Sequence, residues 1–248
     1  MKKRIDTLLV DRGLAPSREK ARALLMAGEV LVEGRPVTKP GVTVPEDALL
    51  VLKDRLPYVG RGGVKLARAL DAFGISVEDA TALDVGASTG GFTDCLLQRG
   101  ARCVYAVDVG RGQMDHRLRQ DPRVATMERV NARHPFPLPE SVDLATVDVS
   151  FISLRLVLPE IARHLGPGRP VLALVKPQFE AERGEVGRGG VVRDAGAHAR
   201  VLGRFLLWAI AHGYRIRDLT PSPIVGDAGN REFFVLLVPP PGESPPSP

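Results

Sequence analysis

LDVGASTGGFTD, residues 83–94, decides how the rest of the chain is read. A short apolar run enters a glycine-rich turn and an amphipathic stretch follows, so the pattern is strand, tight loop, helix. A dinucleotide site built this way needs G-x-G-x-x-G, because the second glycine lets backbone approach a pyrophosphate. Here the glycines are Gly86, Gly90 and Gly91, and Ser88 stands where that second glycine would be. A ligand without a pyrophosphate tolerates the serine. The next apolar run, ARCVYAVDVG, ends on Asp108, eighteen residues beyond Gly90, where a carboxylate can accept both hydroxyls of a ribose.

Outward from this loop, strands and helices alternate. VKLARALDAFG precedes it as a helix, and FTDCLLQRG follows it as another. VDLATVDVSF, PVLALVK, YRIRDLTPSP and REFFVLLVP read as further strands, with helices LRLVLPEIARHL and HARVLGRFLLWAIAHG between them. Such alternation implies a parallel sheet covered by helices on both faces. No helix separates the last two strands, so they are expected to pair antiparallel. D-x-G-x-x-x-G after a strand, with an acid closing the next strand, resembles the S-adenosylmethionine loop of class I methyltransferases. That likeness implies a Rossmann-like α/β domain with a mostly parallel seven-stranded sheet and an antiparallel last strand. A nicotinamide dinucleotide site and a purely structural turn are the competing readings of the glycines, and the placement of Asp108 argues for the methyl donor.

The first quarter of the chain is different. RIDTLLVDRGL reads as a short amphipathic helix ended by Gly13, and Ser17 can cap a second helix that Gly28 ends. On that second helix Ala21, Leu24 and Leu25 face inward, while Arg18 and Arg22 share the other side. EVLVEGRPVTKPGVTVPEDALLVL is rich in valine and turn residues and is expected to form a small β-meander. Residues 1–60 hold eleven Lys/Arg against eight Asp/Glu, more than half of the chain's net charge of +5. A basic face on a small α+β domain suits a polyanion. The segment resembles the α-L RNA-binding module named after a small-subunit ribosomal protein, which implies a grip on structured RNA through shape and phosphates.

Sequence absences narrow the chemistry of the large domain. The Asn/Asp-Pro-Pro-aromatic motif of base-amine methylation is replaced by DVSF, residues 148–151, and neither Cys95 nor Cys103 has the neighbour of a pyrimidine-methylating nucleophile. What remains is Lys65, Asp148 and Lys176 at strand tips or a helix start, and Glu232 opening the last strand. In an open α/β sheet chemistry gathers at the carboxyl ends of the strands, and an antiparallel last strand brings its start to that same edge. The order Lys, Asp, Lys, Glu with spacings of 83, 28 and 56 resembles the tetrad of FtsJ-like ribose 2′-O-methyltransferases. GRGGVKL, LDVGASTGGFTD, VDVSFISL, LVKPQF and NREFF, behind an α-L module, are similar to the haemolysin-A-type (TlyA) rRNA 2′-O-methyltransferases over about residues 3–238. Gly60, where the family pattern has serine, is a mild departure.

The resemblance implies S-adenosylmethionine as cofactor, held by Asp84, Gly86, Ala87, Ser88, Gly90, Gly91, Asp108, Val109 and Asn131. It implies catalysis by Lys65, Asp148, Lys176 and Glu232 without a metal, and RNA contacts from Arg4, Arg18, Lys20, Arg22, Arg61, Arg188 and Arg193. The expected substrate is a cytidine ribose of ribosomal RNA in the 30S and possibly the 50S subunit. The expected role of Lys176 is that of base or alkoxide stabiliser, with Lys65 orienting the hydroxyl and the two carboxylates holding the lysines.

The expected domains are 1–55 for RNA binding, 56–63 as linker, 64–238 for methyl transfer and 239–248 as a disordered proline-rich tail. ERGEVGRGGVVRD, residues 182–194, reads either as a mobile basic flap over the substrate or as a disordered connector. No apolar run approaches the ~18 residues a membrane helix needs, and the N-terminus has no apolar signal core, so the expected location is the cytoplasm. A non-catalytic RNA-binding factor and a membrane-lysing protein are the rival classes. Intact loop and tetrad residues weigh against the first, and the lack of a long cationic amphipathic helix against the second.

Overall fold

The computed structural model describes residues 1–52, 57–182, 184–187, 189–226 and 228–240. The chain divides into two compact units, Met1–Leu56 and Pro57–Pro248.

In the first unit β1 (Lys2–Arg4) runs directly into α1 (Ile5–Asp11), and α2 (Arg18–Met26) follows with its N-cap Ser17 accepting from the Lys20 N–H. Ile5, Leu8, Leu9, Ala21, Leu24 and Leu25 form its core. Asp6 is fully buried in the first turn of α1, where the guanidinium groups of Arg4 (2.9 Å) and Arg18 (3.1 Å) hold its carboxyl well below the usual carboxylate range. Then come β2 (Val30–Val32), β3 (Arg35–Pro36), β4 (Thr43–Pro45) and β5 (Leu50–Leu52). They do not form the expected meander. β2 is central between β3 and β5, joined to β3 by the left-handed pair Glu33 and Gly34, while β4 leaves to pair with β1. The reason is burial: β4 turns Val44 into the helical core, and the lysine-rich β1 supplies its backbone partners.

The second unit begins with α3 (Arg61–Phe73), one turn earlier than a bend at residues 54–63 would allow. Gly62 and Gly63 are helical. They are small because a Cβ on Gly62 would meet the Phe92 ring at 3.2 Å, and one on Gly63 would overlap Tyr58. After α3 come β6 (Thr81–Val85), α4 (Gly91–Gln98), β7 (Cys103–Asp108), α5 (His116–Gln120), β8 (Val124–Glu128) and β9 (Leu144–Val147). The stretch LRLVLPEIARHL is split, not one helix: a 3₁₀ turn (Leu154–Leu156) precedes α6 (Leu158–Ala162), which has Pro159 as its second residue. β10 (Val171–Val175), α7 (Pro177–Glu180), α8 (Ala195–Ala211), β11 (Arg215–Pro221) and β12 (Phe233–Val238) complete the unit.

The sheet order is β11-β12-β10-β9-β6-β7-β8, parallel except for β12, which runs antiparallel to both of its neighbours. The expected seven strands with an antiparallel last one are present, including β8, an edge strand whose VATME sequence is half-buried throughout. Along β10 Val171, Ala173 and Val175 join one apolar cluster while Leu172 and Leu174 join the other, so both faces are covered. Strand order reverses between β6 and β9. Their carboxyl ends, paired Val85 to Val147, open the crevice where ligands of such sheets bind.

Candidate active site

The loop leaving β6 is held by backbone. The N–H groups of Gly86 and Ala87 both donate to the Val107 carbonyl, at 2.9 and 3.2 Å. Gly86 (φ +85°), Ser88 (φ +48°) and Gly90 (φ +94°) are all left-handed, a conformation costly for most side chains. At Gly86 space is also exhausted: a Cβ would lie 2.5 Å from the Asp148 carbonyl oxygen. The first glycine of the loop therefore lets the ends of β6 and β9 touch. Gly91 does the same for α3 and α4, since its Cβ would meet the Gly63 nitrogen at 3.0 Å.

Asp108 closes β7 and spans the loop mouth. Its Oδ2 accepts from the Ser88 N–H (2.8 Å) and its Oδ1 from the Gly110 N–H (2.7 Å). With Ala87, Gln113, Met114 and Glu128 it lines a small recess beside the loop. Val109 is exposed and Asn131 accepts from the Arg133 N–H on the surface, and neither lines the described cavities. Asp84 is not on the cavity wall either. It is fully buried beneath the loop, accepting from Thr93 Oγ1 (2.7 Å) and Thr146 Oγ1 (3.1 Å).

Burial pushes the Asp84 carboxyl up to about 7. A carboxyl whose folded value lies above its unfolded 3.8 favours the fold when protonated, so its contribution declines as pH rises from about 4 to about 7. Asp84→Asn removes that dependence. Melting curves of the two proteins should show the variant gaining on the wild type across this interval and keeping a constant difference above it. A pH-independent difference throughout would contradict this account of Asp84.

A cavity of about 630 Å³ lies between the glycine loop and the ends of β9, β10 and β12. Four charged side chains from four elements meet there. Lys65 on α3 pairs with Glu232 just before β12, Nζ to Oε2 2.6 Å. Lys176, the residue after β10, pairs with Asp148, the residue after β9, Nζ to Oδ1 2.7 Å. Lys65 is 8%, Lys176 9% and Glu232 3% exposed. The register Val175 to Phe233 sets Lys176 and Glu232 at the same sheet edge. Two positive and two negative charges leave the cluster neutral, which is what makes such burial tolerable. Gly226 belongs to this packing, because its Cβ would come within 2.5 Å of Glu232 Oε1.

Three features of this wall are absent from the sequence reading. Ser150 accepts from Lys176 Nζ at 2.8 Å. Phe151 is 91% exposed at the cavity, left-handed (φ +62°), with its ring 5.0 Å from that of Phe179. Asn230 is 1% exposed and ties down the glycine-rich segment, donating to the Gly190 carbonyl (3.0 Å) and accepting from the Val192 N–H (2.9 Å).

Within the stretch 182–194, Gly190 and Val192 are thus tied to Asn230, while residues 183 and 188 lie outside the described residues. Nearby, Glu185 is gripped by Arg204 and by Arg200 (3.2 Å), and chiefly the Arg204 guanidinium lowers its carboxyl to about 2. Gly189 and Gly190 contribute backbone to the cavity wall. Arg61 lines the cavity and Arg193 is exposed, whereas Arg188 and residues 241–248 lie outside the described residues. Lys20 and Arg22 are exposed on α2 of the first unit. Arg4 and Arg18, 52% and 58% exposed along their side chains, use part of each guanidinium on Asp6.

Among the described residues no helix is long and apolar enough to cross a membrane, and no cluster of three metal-ligating side chains occurs.

Comparison with known proteins gives a consistent picture. Residues 58–238 match the FtsJ-like methyltransferase family and residues 3–50 match the S4 domain. The 16S/23S rRNA (cytidine-2′-O)-methyltransferase TlyA of Mycobacterium tuberculosis is 45% identical over 238 residues, covering 94% of this chain and 89% of that protein. Hemolysin A of Brachyspira hyodysenteriae is 40% identical over 238 residues, covering 95% and 99%. A solved structure from Streptococcus thermophilus agrees with a TM-score of 0.75 at 46% identity, covering 98% of this chain and 90% of that one.

Proposed function

The chain belongs to the FtsJ-like methyltransferases, among their S4-bearing TlyA-type members, and we propose that it methylates a ribose 2′-hydroxyl of ribosomal RNA. The observation that carries this reading is the meeting of Lys65, Asp148, Lys176 and Glu232 as two buried ion pairs beside the glycine loop.

The donor is S-adenosylmethionine, and the residues fit it. Gly86 and the left-handed Ser88 leave backbone rather than side chain facing the cavity, and Asp108 offers a fixed carboxylate at the adjoining recess. Gly86, Ala87, Ser88, Gly90 and Gly91 would cradle the amino-acid end, and Asp108 the ribose. Gln113 and Glu128 join that set from the recess wall, in place of Val109 and Asn131. Asp84 supports the loop from beneath through Thr93. When bound, the donor supplies a methyl group on a sulfonium, open to displacement by oxygen.

A sugar hydroxyl is a poor nucleophile because it is hardly ionised at neutral pH. Displacement at a methyl carbon is in-line, so holding oxygen and carbon aligned provides much of the rate. Lys176 takes the hydroxyl proton or stabilises the forming alkoxide, and Asp148 holds it. Lys65, fixed by Glu232, orients the hydroxyl from the opposite side. Phe151 presents a bare ring at the cavity, a platform on which an unstacked base can lie. Lys20, Arg22 and the outward parts of Arg4 and Arg18 grip phosphates on the first unit, and Arg61 and Arg193 do so on the catalytic unit. The target is a cytidine of ribosomal RNA, sought first in the 30S subunit and reached in the cytoplasm.

Transfer of labelled methyl from S-adenosylmethionine onto each isolated ribosomal subunit tests the reading. Incorporation into subunit RNA is expected. If neither subunit is labelled while calorimetry still shows cofactor binding, the reading is wrong.

A further inference from the structure

The contacts of Lys176 are unequal, and the inequality has a chemical meaning. Asp148 Oδ1 lies 2.7 Å from Nζ, yet this buried oxygen has no aligned hydrogen bond. It supplies charge without fixing direction. Ser150 Oγ, at 2.8 Å, makes the aligned hydrogen bond that Lys176 Nζ has among the described residues. On a further side the Phe179 ring centroid stands 5.9 Å away and offers no lone pair.

The geometry points to Ser150 as the positioning residue that aims the amine of Lys176 at the substrate hydroxyl, an inference that rests on the proposed role of Lys176. A neutral amine has two N–H groups and one lone pair at tetrahedral directions. Ser150 takes one N–H direction, the Asp148 carboxylate disfavours a lone pair on its own side by charge alone, and the lone pair is left facing the cavity. In the transfer, the 2′-hydroxyl proton passes to that lone pair as the oxygen bonds the methyl carbon and the carbon–sulfur bond breaks, its electron pair leaving on the thioether product. Without Ser150, Asp148 alone leaves the amine free to turn about the Cε–Nζ bond, and the lone pair is aimed correctly for only part of the time.

The serine is held rigidly enough for this task. It lies in the turn between β9 and the 3₁₀ turn, followed by left-handed Phe151. Three residues on, Ser153 Oγ and the Leu154 N–H both donate to the buried Glu180 carboxylate, each at 2.6 Å. Glu180 belongs to α7, and Lys176 is the N-cap of that same helix. One carboxylate thus ties the serine's loop to the lysine's helix, and the Ser150–Lys176 distance is set by covalent and hydrogen-bonded connections on both sides.

Ser150→Ala and Ser150→Thr test this in the full-length protein with ribosomal subunits as substrate. The alanine variant is expected to lose about tenfold in kcat, the rate equivalent of one orienting hydrogen bond, with KM for RNA and the Kd for S-adenosylmethionine unchanged. The threonine variant, which keeps the hydroxyl, should recover most of that loss. An alanine variant with wild-type kcat overturns the inference, and so does one whose defect lies in KM for RNA, because the serine would then touch substrate instead of lysine. Lys176→Ala run in parallel separates the two levels. If it abolishes transfer while Ser150→Ala is silent, only the serine's role is wrong; if it leaves transfer intact, the assignment of Lys176 itself has failed.

Discussion

Lys176→Met should abolish methyl transfer while leaving S-adenosylmethionine bound with nearly its original affinity. Methionine fills much the same volume with an apolar chain, and the lysine is 9% exposed, so the substitution removes the charge and the base without opening a hole. Its partner Asp148 loses its counter-charge: the carboxylate keeps an exposed edge, but the oxygen that faces the lysine is buried. A positioned general base contributes about 10²–10⁴-fold, so kcat should fall by at least a hundredfold, while the unpaired Asp148 lowers the melting temperature of a protein that still folds and binds cofactor. Single-turnover transfer beside calorimetric titration of the cofactor measures both. Turnover within a few-fold of the wild type would remove Lys176 from the chemistry.

The second large effect is expected at Gly86. Alanine there meets two separate obstacles: a left-handed backbone at φ +85° and the Asp148 carbonyl oxygen 2.5 Å from the new Cβ. The first costs about 1–2 kcal/mol on its own. The second cannot be met by turning a side chain, because the obstructing atom is backbone at the end of a buried strand. Relieving it must separate the ends of β6 and β9 and displace Asp148 from Lys176. Gly86→Ala should therefore lose cofactor affinity and transfer together, each by about a hundredfold or more, the equivalent of about 3 kcal/mol. Gly112→Ala is the matched control, since Gly112 is also left-handed (φ +69°) but a Cβ added to it would have nothing within 4 Å. It should show the strain alone, as a small loss of melting temperature with activity retained. Equal defects in the two variants would mean that close approach at Gly86 is not what the loop requires.

The catalytic fold was legible wherever its signals are local. PVLALVK shows a buried parallel strand because five consecutive apolar residues line both covered faces, and the lysine marks where it reaches the crevice. The meeting of Lys65, Asp148, Lys176 and Glu232 was legible because strand order decides which ends approach, and the pairing of β10 with β12 sets Lys176 and Glu232 at one edge. Other elements are invisible at that range. β1 and β4 are three residues each, too short for alternation to register, and their pairing depends on Val44 reaching the core of the first unit. Gly62 and Gly63 look like a hinge, yet they are helix residues stripped of side chains so that Phe92 and Tyr58 can approach. The glycine-rich segment looks loose for the same reason. Its described residues find their partners far along the chain, Gly190 at Asn230, forty residues on, and Glu185 at Arg204, nineteen on. The hydrogen bond from Lys176 to Ser150 sits beside a left-handed turn at Phe151, which no spacing in the sequence announces.

The central claim concerns which atom receives the methyl group, and alkaline hydrolysis of the labelled RNA addresses it most directly. Alkali cleaves RNA through the neighbouring 2′-hydroxyl, so a methylated sugar protects its own phosphodiester. The label should appear in an alkali-resistant dinucleotide with cytidine on its 5′ side, and should vanish from it with the Lys176→Met protein. Label released in ordinary mononucleotides would place the methyl group on a base and contradict the account.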